Sequence, residues 1–292
     1  MSLTGTASAG STGPIPTGTA ALTQNPVYKT GKLATQACEE PLLRGGDFET
    51  VRIYVKTVSA CFDRAWGAQL KKAGITFGKP RIVLSYTSRV KTACGVRDTN
   101  SVFSLYCKRN KTIYMTVSES GLSNELDSPD MLESLAIGYG YHVQQLTGIL
   151  TQEARALKRL SKTDALALST KVSLQNICFA GAFLGSVWDS LGHTKEHGYD
   201  YLIGRHSWDA DVKGHGKAKN RVYWERRGFD SDARTRRSTG HPAPAAKTHA
   251  TWPPASSNGT VWLSNSLTRP MSCIIDATYS SSASKAMSFI AP

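Results

Sequence analysis

From Ser134 to Leu150 the chain reads SLAIGYGYHVQQLTGIL, and Leu132, Leu135, Ala136, Tyr139, Val143, Leu146 and Leu150 fall at the spacing of one buried helix face. Ser128, Pro129 and Asp130 supply a start signal: a hydroxyl that accepts from free first-turn N–H groups, a residue that needs no donor, and an acid for the positive end of the dipole. The pattern predicts a helix from about Pro129 towards Gly148. At about 100° per residue, Ile137 and Tyr141 point almost opposite that stripe, where a surface helix carries charge. The helix is therefore expected to be covered, or to line a cleft, on both sides.

Two more helical patterns flank it. Val51, Tyr54, Val55, Val58, Phe62, Ala65, Trp66 and Leu70 predict a helix over Asp47 to Gly74, with Gly74 as its stop. Val172, Ile177, Ala180, Gly181, Phe183, Leu184, Val187 and Trp188 give a broad apolar surface to a helix over Asp164 to Leu191. Arg81 to Val90 (RIVLSYTSRV) and Thr112 to Val117 (TIYMTV) alternate as strands, with the stretch from Cys94 to Cys107 as a loop between them. Residues 1–26, rich in Gly, Ser, Thr and Pro, read as a flexible linker. Residues 27–232 hold the periodic segments of one folded domain, and residues 233–292 form a basic, Pro/Ala-rich tail and extension expected to be mobile.

With 292 residues and 40% hydrophobic content, the chain can bury a proper core. No apolar run approaches the roughly 18 residues needed to span a bilayer. The net charge of +13 favours anions such as phospholipid headgroups, wall polymers or nucleic acid. No RNA-binding aromatic motif or helix-turn-helix pattern supports sequence-specific nucleic-acid recognition, which leaves a salt-sensitive polyanion-binding module as the reading for the charge alone. The six cysteines, Cys38, Cys61, Cys94, Cys107, Cys178 and Cys273, include no CxxC pair, so disulfides in an oxidising, extracytoplasmic compartment are expected rather than a zinc finger. Sequence alone leaves every pairing open. Cys178, amid Phe and Leu, is expected to be inert or crosslinked rather than a nucleophile. The first residues show no charged n-region followed by an apolar h-region, so no signal peptide is visible: either it was removed from this sequence or the expectation of export is wrong.

Positions 137, 138 and 141 have the spacing of HExxH, in which imidazoles one turn apart grip a zinc ion and the glutamate serves as general base. Here they hold Ile137, Gly138 and Tyr141. The surrounding Leu135, Ala136, Gly140, His142, Val143, Gln144, Leu146 and Gly148 fit the frame LAHExGHHVQ-LxG, and at this point the chain resembles the neutral zinc metallopeptidases of bacteria. His142 matches the extra histidine after the motif, which is not a ligand in that pattern. The resemblance also takes in Cys61-Phe62-Asp63-Arg64-Ala65-Trp66, and in all it covers roughly Leu22 to Trp252. It implies a zincin-like α+β domain whose cleft lies between a sheet edge and the central helix. Through the CG…YC element at Cys94-Gly95 and Tyr106-Cys107 it implies a Cys94–Cys107 disulfide; Cys38–Cys61 is expected next, and Cys178–Cys273 is the remaining pair.

In that family the third ligand sits in a frame like ELQADCFAG. This chain has SLQNICFAG over residues 173–181, so Ser173 stands for the glutamate and Ile177 for the acid one turn later. A hydroxyl is a poor zinc ligand. The resemblance further places His215, in an HG…RVxW segment, at the cleft beside His142 and Ile177; without a metal it is expected to cap a turn. Arg221 and Arg227, with Asp230 and Asp232, read as an ion-paired helix end. The expectation is an exported homologue that has lost zinc and peptidase activity, with no cofactor, binding a peptide, a protein or an anionic envelope polymer. The alternative is a peptidase that holds zinc through His193, Glu196 and His197, which match HxxEH. Gly192 and Gly198 bracket that match, so a turn is expected there rather than the helix that ligation at i and i+4 needs.

Overall fold

The computed structural model describes residues 15–98, 102–117, 128–193 and 214–233, together with Cys273. In chain order the elements are α1 (Ala20–Thr23), a 3-10 turn at Pro26–Lys29, α2 (Phe48–Lys72), β1 (Arg81–Ser85), β2 (Arg89–Thr92), β3 (Gly95–Asp98), β4 (Val102–Cys107), β5 (Thr112–Val117), α3 (Ser128–Leu146), α4 (Ile149–Leu157), α5 (Lys162–Val187), a 3-10 turn at Trp188–Leu191 and α6 (Ala218–Ala233). The class is α+β. Local chemistry sets the ends of the long helices. The Asp47 side chain accepts from Glu49 N–H at the start of α2, and Gly74 follows its last turn at φ 70°. The Ser161 hydroxyl accepts from Asp164 N–H at the start of α5.

One three-stranded sheet has the order β1-β5-β4, with β1 parallel and β4 antiparallel to β5; β2 and β3 form a separate antiparallel ribbon. The expected strand from Arg81 to Val90 is thus two strands in two sheets. The expected loop from Cys94 to Cys107 is mostly β3 and β4. Apart from Val90, the ribbon residues are exposed or only half-buried, so no apolar alternation marked them. A disulfide between Cys94 in the ribbon turn and Cys107 at the end of β4 fastens the ribbon to the sheet.

The sheet presents Ile113, Met115 and Val117 of β5, all fully buried, to the helices. Behind them α2, α3 and α5 meet in a stack of rings, with Phe62 lying 4.5 Å from Tyr139 and 3.5 Å from Phe183. Such burial of large aromatic surface is the main stabilising term of the domain. Cys38–Cys61 ties the loop before α2 to that helix, and Cys178–Cys273 links the middle of α5 to the C-terminal region. The linker of residues 1–26 is described only from Ile15 onward, where it already includes α1, and the tail lies outside the described residues except for Ala233, which ends α6, and Cys273.

Helices α5 and α6 touch backbone to backbone. A Cβ on Gly181 would fall 2.2 Å from the Glu225 carbonyl oxygen, on Gly185 2.4 Å from that of Phe229, and on Gly228 2.1 Å from that of Cys178. Asp230 at the far end of α6 pairs with Arg226 at 3.5 Å, while Arg221 reaches the Gly216 carbonyl at 2.7 Å and Arg227 lies 5.4 Å from the Trp224 ring. Arg226, the partner of Asp230, was not singled out from sequence, and the Asp232 side chain of the expected ionic helix end lies outside the described residues.

Gly181→Ala is expected to lower stability by about 1–3 kcal/mol, because neither backbone can retreat without moving a whole helix. Gly67→Ala on α2, whose new methyl would meet Phe77 at an ordinary 3.5 Å, is expected to be neutral or to gain up to about 1 kcal/mol. Urea midpoints of the two variants check the contrast.

Candidate functional site

Helix α3 crosses α5 at a position where it has no side chain. A Cβ on Gly140 would fall 2.0 Å from Asn176 Oδ1, so the Asn176 side chain lies directly on α3, and its Nδ2 donates to the Ile137 carbonyl at 3.2 Å. Tyr141, one turn after Ile137, hydrogen-bonds through its hydroxyl with the Ser173 and Asn176 side chains. Burial pushes the Tyr141 phenol up, away from ionisation, and the nearby Glu153 charge adds to that. The Ser173 hydroxyl shares a 3.0 Å hydrogen bond with His215 Nδ1. Tyr141, Ser173, Asn176 and His215 thus form one connected cluster between α3, α5 and the segment leading into α6.

His215 is placed by its flanks. Gly214 and Gly216 both have φ 86°, in the left-handed region, and a Cβ on Gly216 would press within 3.2 Å of Leu174. Arg221 clamps the same turn through the Gly216 carbonyl. Burial, with Arg221 nearby, holds the His215 imidazole below its usual value and so neutral near pH 7. Ser173 is 5% exposed, and its hydroxyl is divided between a phenol and an imidazole, which makes it a bridge rather than an open nucleophile.

These donors do not fit zinc. Ile137 offers hydrocarbon, Tyr141 a phenol held neutral, and Ser173 a hydroxyl already engaged, where the ion prefers thiolate, imidazole or carboxylate. Gly138 offers no base, and the space a side chain would need there is taken, since a Cβ would fall 2.8 Å from Ile113 Cγ2. Among the described residues no group of three His, Cys, Asp or Glu side chains is placed to hold a metal ion.

The remaining candidates lie elsewhere. His142 is fully buried: Nε2 lies 2.6 Å from the Gly78 carbonyl, Nδ1 lies 3.0 Å from the Tyr106 hydroxyl, and the rings of Phe77 and Tyr106 meet it edge-on. It binds β4 and the segment before β1 to α3 from inside the core rather than lining the cleft. Ile177 is buried with Leu174 and Trp224 between α5 and α6. His193 Nε2 lies 2.6 Å from Glu40 Oε2, and its ring lies 4.7 Å from that of Trp188. It follows the C-terminus of α5, a helix that runs 14 residues past Ser173 to Val187, or about 21 Å at 1.5 Å per residue. Glu196 and His197 lie outside the described residues.

Two members of the site were not singled out from sequence. Asn176 stands where the frame ELQADCFAG has alanine, and that change to a polar residue opposite Gly140 was a usable signal. Glu153 belongs to α4, which was not predicted; it hydrogen-bonds with Ser169 of α5, and burial raises its carboxyl above the usual range.

A sequence profile described as "Putative neutral zinc metallopeptidase" matches residues 32–243. The chain is also similar to "Uncharacterized protein YpfJ" of Escherichia coli strain K12 and to the protein of the same name in Escherichia coli O6:H1. Each is 26% identical over 195 residues, which cover 61% of this chain and 67% of the relative. No solved structure matches the chain significantly.

The buried histidine makes stability depend on pH. Desolvation is the largest cause lowering the His142 value from 6.5, so the unfolded chain takes up a proton that the folded chain resists. Stability is therefore full above about pH 6.5 and falls as pH drops towards the lower folded value, with a slope of at most about 1.4 kcal/mol per pH unit from this group. His215 contributes in the same direction. Urea midpoints between pH 7.5 and 5 are expected to fall less steeply in His142→Gln than in the unaltered chain.

Proposed function

The chain belongs to the neutral zinc metallopeptidase family, and from that premise we propose that it is a member that has given up zinc and peptide hydrolysis and works by holding a peptide or protein partner in the retained cleft. The observation that carries the reading is the meeting of Tyr141 and Ser173 in one hydrogen-bonded cluster, with Ile137 and Gly138 beside it on α3. A hydrolytic zinc site needs three ligands, an open position for water, and a carboxylate to take the proton of that water. Each requirement falls on a position whose present side chain does not meet it.

Binding needs less than hydrolysis does. Among the described residues β4 has a strand neighbour on one side only, and β4 packs along α3, with Ser104 Oγ donating to the Ser134 carbonyl. An extended peptide laid against that edge would gain main-chain hydrogen bonds, and half-buried Ile137 and Tyr141 would offer it apolar surface. Three disulfides fit an oxidising, non-cytoplasmic compartment, which supports export. No helix among the described residues is long and apolar enough to cross a membrane. In this reading residues 27–232 are the peptidase-type domain, preceded by the linker 1–26 and followed by the tail 233–292. The pairing of His193 with Glu40, about 20 Å along α5 from Ser173, argues against the alternative in which His193, Glu196 and His197 hold zinc.

The test is elemental analysis of protein purified with zinc present, beside digestion of casein with and without chelator. Far less than one zinc per chain and no chelator-sensitive cleavage are expected. Stoichiometric zinc with cleavage that a chelator abolishes would overturn the proposal.

A further inference from the structure

A concave site lies apart from the Tyr141 and Ser173 cluster, at the joint between α3 and α4. Lys108, Gln145, Leu150, Thr151, Ala154, Arg155 and Lys158 enclose a pocket of about 270 Å³. Three of the seven are cations, and none is an acid. The cations come from two places in the fold: Lys108 from the β4–β5 turn, Arg155 from the last turn of α4 and Lys158 from the cap position that follows it. All three are exposed, and no ion pair among the described residues engages them. Their positions are fixed by the fold. Lys108 directly follows Cys107, whose disulfide anchors the turn, and Gln145 Nε2 reaches Thr151 Oγ1 at 3.4 Å across the α3–α4 joint.

We propose that this pocket binds a phosphoryl group. Like charges gathered around one concavity repel one another, and an anion placed between them relieves that repulsion. An arginine fork beside two lysine point charges suits a multiply charged tetrahedral anion better than a single carboxylate. The volume falls below the range usual for drug-sized ligands, so a headgroup or one phosphate of a polymer fits, and the rest of such a molecule would lie outside the mouth. Glu153, the acid on the same helix, hydrogen-bonds with Ser169 of α5; burial raises its carboxyl above the usual range, and the Lys108 charge acts on it in the opposite sense. Lys108 thus faces one carboxyl, while Arg155 and Lys158 share in no ion pair among the described residues. The site stands independently of the cleft reading, because none of its lining residues belongs to the cluster around Tyr141 and Ser173.

The experiment is titration of the full chain at about 0.1 M salt, where exposed charges more than about 10 Å apart are largely screened. The probes are inorganic phosphate and vesicles of phosphatidylglycerol in phosphatidylcholine, each against the unaltered chain, a Lys108→Gln/Arg155→Gln/Lys158→Gln variant, and a Lys56→Gln/Lys71→Gln/Lys91→Gln variant of the same net charge. The pocket variant is expected to bind at least tenfold more weakly, and the control within twofold of the unaltered chain. Saturable phosphate binding that competes with vesicles identifies the free anion as sufficient. Vesicle binding lost only in the pocket variant, without measurable phosphate binding, identifies a lipid headgroup as the source. Equal weakening of both variants, or no binding of either probe by the unaltered chain, overturns the proposal.

Discussion

The contact on which the site depends is the crossing of α3 and α5 at Gly140 and Asn176. With no side chain at position 140, the Asn176 amide lies on the backbone of α3 and donates to the Ile137 carbonyl. That closeness sets Tyr141 opposite Ser173. The same device recurs between α5 and α6, where Gly181, Gly185 and Gly228 let carbonyl groups come nearer than any side chain would permit, and it delivers His215 to the other side of Ser173. Two glycine-mediated crossings therefore position the whole cluster.

Seen as chemistry, the cluster joins the same segments that a metal ion with ligands at positions 137, 141 and 173 would join. A net hydrogen bond contributes only about 1 kcal/mol, far less than a coordinated ion, so other links must hold this region. The Cys178–Cys273 disulfide, one turn beyond Ser173, and the ring stack of Phe62, Tyr139 and Phe183 do so. The Ile113 side chain is closed against Gly138, so packed hydrocarbon lies where a longer side chain at that position would need room.

The long helices were legible because each carries its own signals. Asp47 and Gly74 mark ends, and the stripe from Leu132 to Leu150 is buried as its spacing implied except at half-buried Leu146. The β2–β3 ribbon was not legible, since its residues are hardly buried and a backbone ladder leaves no pattern in side-chain polarity. Helix α6, rich in charge and aromatic residues, buries its glycine face on α5, a contact that hydrophobic periodicity does not register. Within the site, positions 137, 141 and 173 were singled out from the frame of the resemblance, and Tyr141 and Ser173 meet in the structure. The roles of the histidines were not: His142 and His193 are each paired with groups distant in sequence, Gly78 and Glu40, which no local motif announces.

The central claim, that positions 137, 138, 141 and 173 still converge as a metal site would, is tested most directly by restoring the donors. A chain carrying Ile137→His, Gly138→Glu, Tyr141→His and Ser173→Glu, with Ile113→Ala to clear space at position 138, is checked for folding by circular dichroism and then for bound zinc after dialysis. The account predicts about one zinc per folded chain, the stoichiometry of a single three-ligand site, and far less on the unaltered protein. A folded restored chain that takes up no zinc would contradict it.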